Sequence, residues 1–335
     1  MIPQSLSQRI DTTRLGMILA VISIHCNILP FISDKANATV TISAVKFFSC
    51  NLPAIGVPFF FFISAYLLQT KHPYLSIHSY FSLCIKRCRT VFLPYLLWNT
   101  TATLIRIIVN LTPLSRYTSG GPKFDSFLDM LVNIYWTPAL EPLWFLRNLM
   151  GFIILVPVLQ KILKLSPILL LIIGIFIENY TPLSGIIYFV FGMAIAQWYS
   201  PERFEQIISK LASFALFYVF VKACITFYPI NTYIYPIFDE TTNLIGLLGF
   251  MALCSKPLRL KHFDLPGAIF FVYAFHGIIS PYVLKIMLLI YDWHGELWLI
   301  DYITSFLITT TLSFATYHFM IRYCPQLSML MTGNR

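Results

Sequence analysis

A succession of apolar runs separated by short polar gaps constrains this chain more than any single motif: residues 14–31, 44–69, 90–111, 142–161, 166–180, 184–198, 208–228, 240–255, 266–290 and 299–321. Crossing the hydrocarbon core of a bilayer takes about 20 apolar residues in a helix, and most of these runs reach or approach that length. In lipid they must be helical, because an open strand leaves its backbone groups unpaired. The expected fold is all-α and polytopic, with about ten transmembrane helices. Composition agrees: 58% of the 335 residues are hydrophobic and 11% charged, too little polar surface for a soluble protein of this size. Residues 1–335 therefore read as one membrane-embedded domain.

The fifth and sixth runs are short and broken by Pro167, Gly174, Pro182 and Gly185. A re-entrant hairpin there preserves the downstream parity, whereas failure of one run alone to cross reverses it. Cytoplasmic loops carry the Lys/Arg excess. With the N-terminus inside, fifteen of the 23 Lys/Arg fall on inner ends or loops, among them Arg9, Arg14, Lys86, Arg87, Arg89 and Arg322. Only Lys35, Arg116 and Lys123 fall in outer loops, and Lys46, Arg106, Arg147, Lys222 and Lys285 lie within or beside runs. Both termini are thus expected in the cytoplasm. Orientation accounts for most of the net charge of +9, and nucleic acid is not an expected partner.

A basic start before an apolar run also fits a cleaved signal peptide. Here the run ends in NILPFISD without a small-x-small site, so a retained helix is expected. The seven cysteines contain no CxxC pair and read as packing thiols, with no metal site expected. No Walker loop, GxGxxG or HExxH is present.

Two ionisable residues stand out in the first run, Arg14 and His25 in IDTTRLGMILAVISIHCN. Eleven helical steps turn through about 1100°, about 20° from three full turns, so both share a face, separated by roughly 16 Å of rise. Asp11 joins that face one turn earlier and is placed to hold the Arg14 guanidinium. Snorkelling of Arg14 and simple packing of His25 are the bland explanations. An aligned ionisable set at membrane depth points instead to function.

The stretch IDTTRLGMILAVISIH resembles the first helix of the acyltransferase-3 family of integral membrane acyltransferases, whose signature separates Arg or Lys from His by ten residues. GVPFFFFISAYLL, residues 56–68, resembles the family's FF-x-I-S-G pattern, with Ala65 at the glycine. KRCRTVFLPYLLW (86–98), PLWFLRNLMG (142–151), YFVFGMAIA (188–196) and the helix holding Tyr273 and His276 follow in the expected order. The resemblance spans nearly the whole chain. It implies transfer of an acyl group, most often acetyl from acetyl-CoA, to a hydroxyl of a glycan or lipid-linked sugar. The expected setting is the cytoplasmic (inner) membrane of a bacterium.

Under that implication each residue set takes a role. Acyl-CoA is a polyanionic cytoplasmic co-substrate, not a permanently bound cofactor, and Lys86, Arg87 and Arg89 at the inner end of the third run are placed for its phosphates. The same three also satisfy the ordinary inner-loop charge bias. Arg14 is placed to orient the donor arm or its thioester. A hydroxyl attacking a thioester needs a base, and His25 is the candidate. His276 reaches a similar depth, with Tyr273 one turn below it on nearly the same face. Glu141, Trp144 and Arg147, spaced by three at the start of the fourth run, form the candidate acceptor set, although an interfacial aromatic belt explains the Trp equally well. The Phe59–Phe62 run reads as packing or lipid-facing surface, and the loop around Tyr117–Asp129, with Trp136, as a cap on the acceptor.

Two function classes stay open: an O-acyltransferase, and a polysaccharide export or accessory protein that works with polysaccharide-assembly proteins and performs no bond chemistry. The Arg14/His25 pair favours the enzyme, because export requires no base. An ion-coupled transporter is less attractive, since paired broken helices in an internal repeat are not evident. The chain ends at Arg335, so a stand-alone member without a fused extracytoplasmic domain is expected.

Overall fold

A computed structural model describes residues 2–31, 39–112, 125–181, 183–228, 235–255, 264–290 and 297–334. Among them there is no strand. The principal helices are α1 (Gln4–His25), α2 (Thr39–Lys46), α3 (Gly56–Lys71), α4 (Ile77–Arg87), α5 (Leu93–Asn110), α6 (Phe127–Leu131), α7 (Trp144–Leu165) and α8 (Pro167–Tyr180). They continue with α9 (Ile186–Trp198), α10 (Pro201–Ile208), α11 (Ala212–Phe227), α12 (Tyr235–Leu253), α13 (Leu265–Ile290), α14 (Trp298–Tyr323) and α15 (Pro325–Thr332). Lys35, Arg116, Lys123 and Pro182, the cations Lys256, Arg259, Lys261 and Arg335 expected inside, and the 117–124 part of the loop expected outside lie outside the described residues.

Each of the ten apolar windows falls on a helix. Six stretches are long and apolar enough to cross a membrane: Gln4–Phe31, Val40–Lys71, Ile77–Asn110, Glu141–Leu165, Leu265–Ile290 and Trp298–Tyr323. A seventh results if α10 and α11, bent by 58°, form one span. The fifth and sixth windows are helices of 14 and 13 residues, about 20 Å each against a hydrocarbon core of about 30 Å. They form a tight hairpin. The Glu178 carboxylate accepts from the Gly185 N–H at 2.8 and 2.9 Å and from the Ile187 N–H at 3.2 Å, capping α9. Gly185 takes a left-handed φ of 94°, which a side chain would strain.

Two helices begin well before their windows, because hydropathy registers only continuous apolar runs. α1 starts ten residues before Arg14, and its polar first turns are held by tertiary contact: Leu6, Arg9 and Ile10 are buried. Arg9 Nη1 donates to the carbonyls of Met251 and Ala252 at 2.9 and 2.8 Å, satisfying the otherwise free last turn of α12. The third crossing starts at Ile77 and runs to Asn110 through a π-turn at Cys88–Phe92. Its first helix is amphipathic, burying Leu83 alone, and so escapes a hydropathy window. Lys86, Arg87 and Arg89 therefore lie inside a long helix, not at its inner end.

The core is aromatic around α3. Phe59, Phe61 and Phe62 are fully buried, so this run packs helices and does not face lipid. Phe61 meets Phe145 at 4.5 Å between ring centroids, and Phe62 meets Phe191 of α9 at 5.7 Å. Away from this core, Lys222 of α11 is 1% exposed and pairs with Asp239 of α12, whose carboxylate also accepts from Asn243 at 3.1 Å. All seven cysteines are free.

Candidate active site

α1 and α13 lie side by side, and their residues match in step. Arg14 stands at the level of Pro266 and Ile269, with which it lines one cavity, while His25 meets His276 with ring centroids 5.1 Å apart and planes at 56°. The eleven residues from Arg14 to His25 thus run beside the ten from Pro266 to His276. Both polar groups of α1 look toward α13, as helical arithmetic requires of residues eleven apart. Asp11 and Arg14 form an ion pair at 2.8 Å. His25 is the last residue of α1, half-buried, whereas His276 is 0% exposed.

His276 Nδ1 lies 3.0 Å from the Val272 carbonyl. Tyr273, one turn below with its ring 6.2 Å from His276, donates its hydroxyl to the carbonyl of Pro142. That bond carries the turn before α7 to α13. Gly277 completes the junction, since a Cβ there would stand 2.7 Å from Pro142 Cγ and 3.0 Å from Leu140 Cδ1. Docked in this way, the turn bearing Glu141, whose side chain is exposed, sits against the helix of His276. His25, His276 and Tyr273 therefore meet at the junction of α1, α13 and that turn.

Below them a cavity of about 260 Å³ is lined by Arg14, Arg87 and Tyr273, with Phe60, Phe145 and other apolar side chains as its walls. Two guanidiniums line it, and Asp11 is bound to that of Arg14. Nearby, at the end of α3, burial and then the charges of Lys71, Arg87 and Lys86 hold His72 below the ordinary histidine range. Arg14 and Arg87 are the cations that line this cavity.

The remaining candidates are dispersed. Lys86 and Arg89 are exposed and do not line the cavity, whereas Arg87 does. Trp144 packs on Phe61 with centroids 6.0 Å apart. Arg147 is satisfied locally, through Nη1 to the Trp136 carbonyl at 2.6 Å and Nε and Nη2 to Asn148 Oδ1 at 3.1 and 3.0 Å. It lines a second, largely apolar cavity of about 400 Å³ between α4 and α7. Glu141, Trp144 and Arg147 thus point to three surroundings, because steps of three residues drift about 60° each around a helix and Glu141 precedes α7 itself. Lys46 and Arg106 are exposed.

Sequence reasoning passed over Asn99, fully buried on α5, whose Oδ1 accepts from the Leu140 N–H at 3.1 Å and steadies the turn bearing Glu141. An asparagine inside an apolar run was the available signal. Arg9 was read as an inner-face charge, and only its partner across the fold reveals it as a helix cap.

Comparison with known proteins places this geometry. The chain matches the acyltransferase-3 model, described as an acyltransferase domain, over residues 7–318. It is 27% identical over 169 residues to the succinoglycan biosynthesis protein ExoH of Rhizobium meliloti (strain 1021), a match covering 49% of this chain and 45% of that relative. The matched segment therefore spans just under half the length of the curated relative. No solved structure matches. A family match running from the first turns of α1 almost to the end of α14 encloses both histidines and the cavity beneath them, and the chain belongs to the acyltransferase-3 family of integral membrane acyltransferases.

Proposed function

We propose that this protein is a membrane O-acyltransferase that moves an acyl group, acetyl in the simplest case, from cytoplasmic acyl-CoA to a hydroxyl of a surface polysaccharide or lipid-linked glycan. The observation that carries the reading is one cavity lined by Arg14, Arg87 and Tyr273, with Tyr273 one turn from His276 and His276 in contact with His25. Guanidiniums suit the phosphates of the donor, the apolar walls suit its pantetheine arm, and an imidazole beyond Tyr273 suits removal of a proton from the attacking hydroxyl. Both termini in the cytoplasm, with α8, α9 and α12 completing ten spans of a bacterial inner membrane, bring donor and cavity to the same side. The polysaccharide acceptor draws on the ExoH relative, a succinoglycan biosynthesis protein.

In this reading the hydroxyl oxygen attacks the thioester carbonyl while His25 takes its proton. The tetrahedral intermediate expels the CoA thiolate, and the proton passes from His25 to sulfur. Of the acceptor candidates Glu141 alone stands on the turn docked against α13, while Trp144 packs on Phe61 and Arg147 is held by Trp136 and Asn148; Lys86 and Arg89 add to the field that draws in the donor.

Deletion of the gene, followed by mass analysis of surface glycans, tests the proposal. The expected result is loss of a fixed acyl mass with polymer still secreted, and the same loss in a His25→Ala strain that makes normal amounts of protein. Polymer retained inside with its acylation unchanged supports an export or accessory role instead.

A further inference from the structure

The His276 ring lies against that of His25, with centroids 5.1 Å apart, and its own hydrogen bonding dictates what it can offer. The Val272 carbonyl can only accept, so the 3.0 Å contact requires the proton on Nδ1. In the neutral ring Nε2 is then a lone-pair acceptor. That atom is fully buried and has no hydrogen-bond partner, which makes it a costly orphan unless a donor reaches it.

The neighbours narrow the choice of donor. Tyr273 has committed its hydroxyl proton to Pro142. Glu141, when ionised, only accepts. His25 remains, with its ring centroid 5.1 Å away. The two rings touch without a hydrogen bond between them, and a rotation of the His25 ring is all that a bond of about 3 Å to Nε2 requires.

We propose that His276 is a positioning residue that accepts a hydrogen bond from His25 through Nε2, fixing the tautomer of His25 so that its other nitrogen presents a lone pair to the acceptor hydroxyl. The arrangement deepens the acyltransferase reading and rests on it for its catalytic meaning. Val272 orients His276, His276 orients His25, and His25 alone receives the substrate proton. No electrons or further reactants are required, because the proton taken from the hydroxyl leaves on the CoA sulfur. When His25 becomes an imidazolium, the His276 lone pair stands beside it.

Nitrogen-15 NMR of the histidine-labelled, full-length protein in detergent tests the pairing without any assay of activity. Subtracting the His276→Gln spectrum assigns His276. The expected signature is one protonated nitrogen and one unprotonated, hydrogen-bonded nitrogen, the latter moving to an unbonded position in His25→Leu. A His25→Leu protein whose His276 signals match the parent overturns the proposal. In parallel, His276→Leu should lower kcat for transfer from acetyl-CoA by about a hundredfold or more, leaving the donor KM unchanged. His276→Gln, which can place an acceptor oxygen near the lost Nε2, should recover part of that rate. Equal rates in the Leu and Gln variants at equal thermal stability would overturn the positioning role, as would Glu141→Gln reproducing the loss while His276→Leu does not. An intact NMR signature with glycan acylation unaffected by either histidine substitution sinks the transferase reading and leaves the pair standing.

Discussion

The Tyr273 hydroxyl donates to the carbonyl of Pro142 and so ties the turn bearing Glu141 to the helix bearing His276. Tyr273→Phe leaves that buried carbonyl without its donor, a loss of about 1–3 kcal/mol. The variant should melt lower in detergent and acylate more slowly, while donor binding, measured with acetyl-CoA, stays close to the parent value. Unchanged melting would show that the junction does not depend on this bond.

Gly277 makes the same junction sterically. A Cβ at Gly277 meets Pro142 at 2.7 Å, whereas one at Gly16 meets nothing within 4 Å. Gly277→Ala should therefore displace the turn bearing Glu141 from the His276 helix and reduce turnover at least severalfold. Gly16→Ala should leave turnover intact and stabilise α1 by up to about 1 kcal/mol. Paired rate and melting measurements on the two variants compare them directly.

Arg14 and Arg87 share the cavity, while Lys86 and Arg89 are exposed. A guanidinium hydrogen-bonded to phosphate contributes about 1.5–3 kcal/mol, so Arg87→Gln should raise the KM for acetyl-CoA by roughly ten- to a hundredfold. Lys86→Gln and Arg89→Gln should change it by about twofold, through the local field alone. Equal effects at all three positions would place donor binding outside the cavity.

Lys222, buried, pairs with the partly exposed Asp239, remote from the histidines in sequence. Lys222→Met strands the carboxylate and should cost about 1–3 kcal/mol. Adding Asp239→Leu should restore most of it, because two apolar groups leave no charge unpaired. Thermal unfolding of the single and double variants gives the coupling. Strictly additive losses would show that the pair is not stabilising.

His72 supplies a pH test outside the spans. Burial, then Lys71, Arg87 and Lys86, depress its folded pKa. The unfolded chain therefore takes up a proton first, and stability falls as pH drops below about 6.5 toward the depressed folded value. His72→Gln removes this loss, so its melting temperature should decline less steeply than the parent's between about pH 7 and 5. Parallel slopes would show that His72 does not contribute.

Apolar run length and charge bias were sufficient to read the class of fold, because each is a property of a contiguous segment transferring into lipid. The shared face of Asp11, Arg14 and His25 was legible too, since helical periodicity is local. Tertiary structure alone extended α1 back to Gln4 and the third crossing back to Ile77, where amphipathic turns are held by neighbours and not by lipid. It also divided the candidate cations, bringing Arg87 into the cavity beside Arg14 and leaving Lys86 and Arg89 outside. The turn bearing Glu141 docked on the His276 helix while Trp144 and Arg147 turned elsewhere, because a hydrogen bond from Tyr273 and the bare face of Gly277 hold that turn on α13. His25 was visible as a costly group in an apolar run, but its meeting with His276 required two helices 251 positions apart in sequence to lie in matched register, which packing decides and no local pattern encodes.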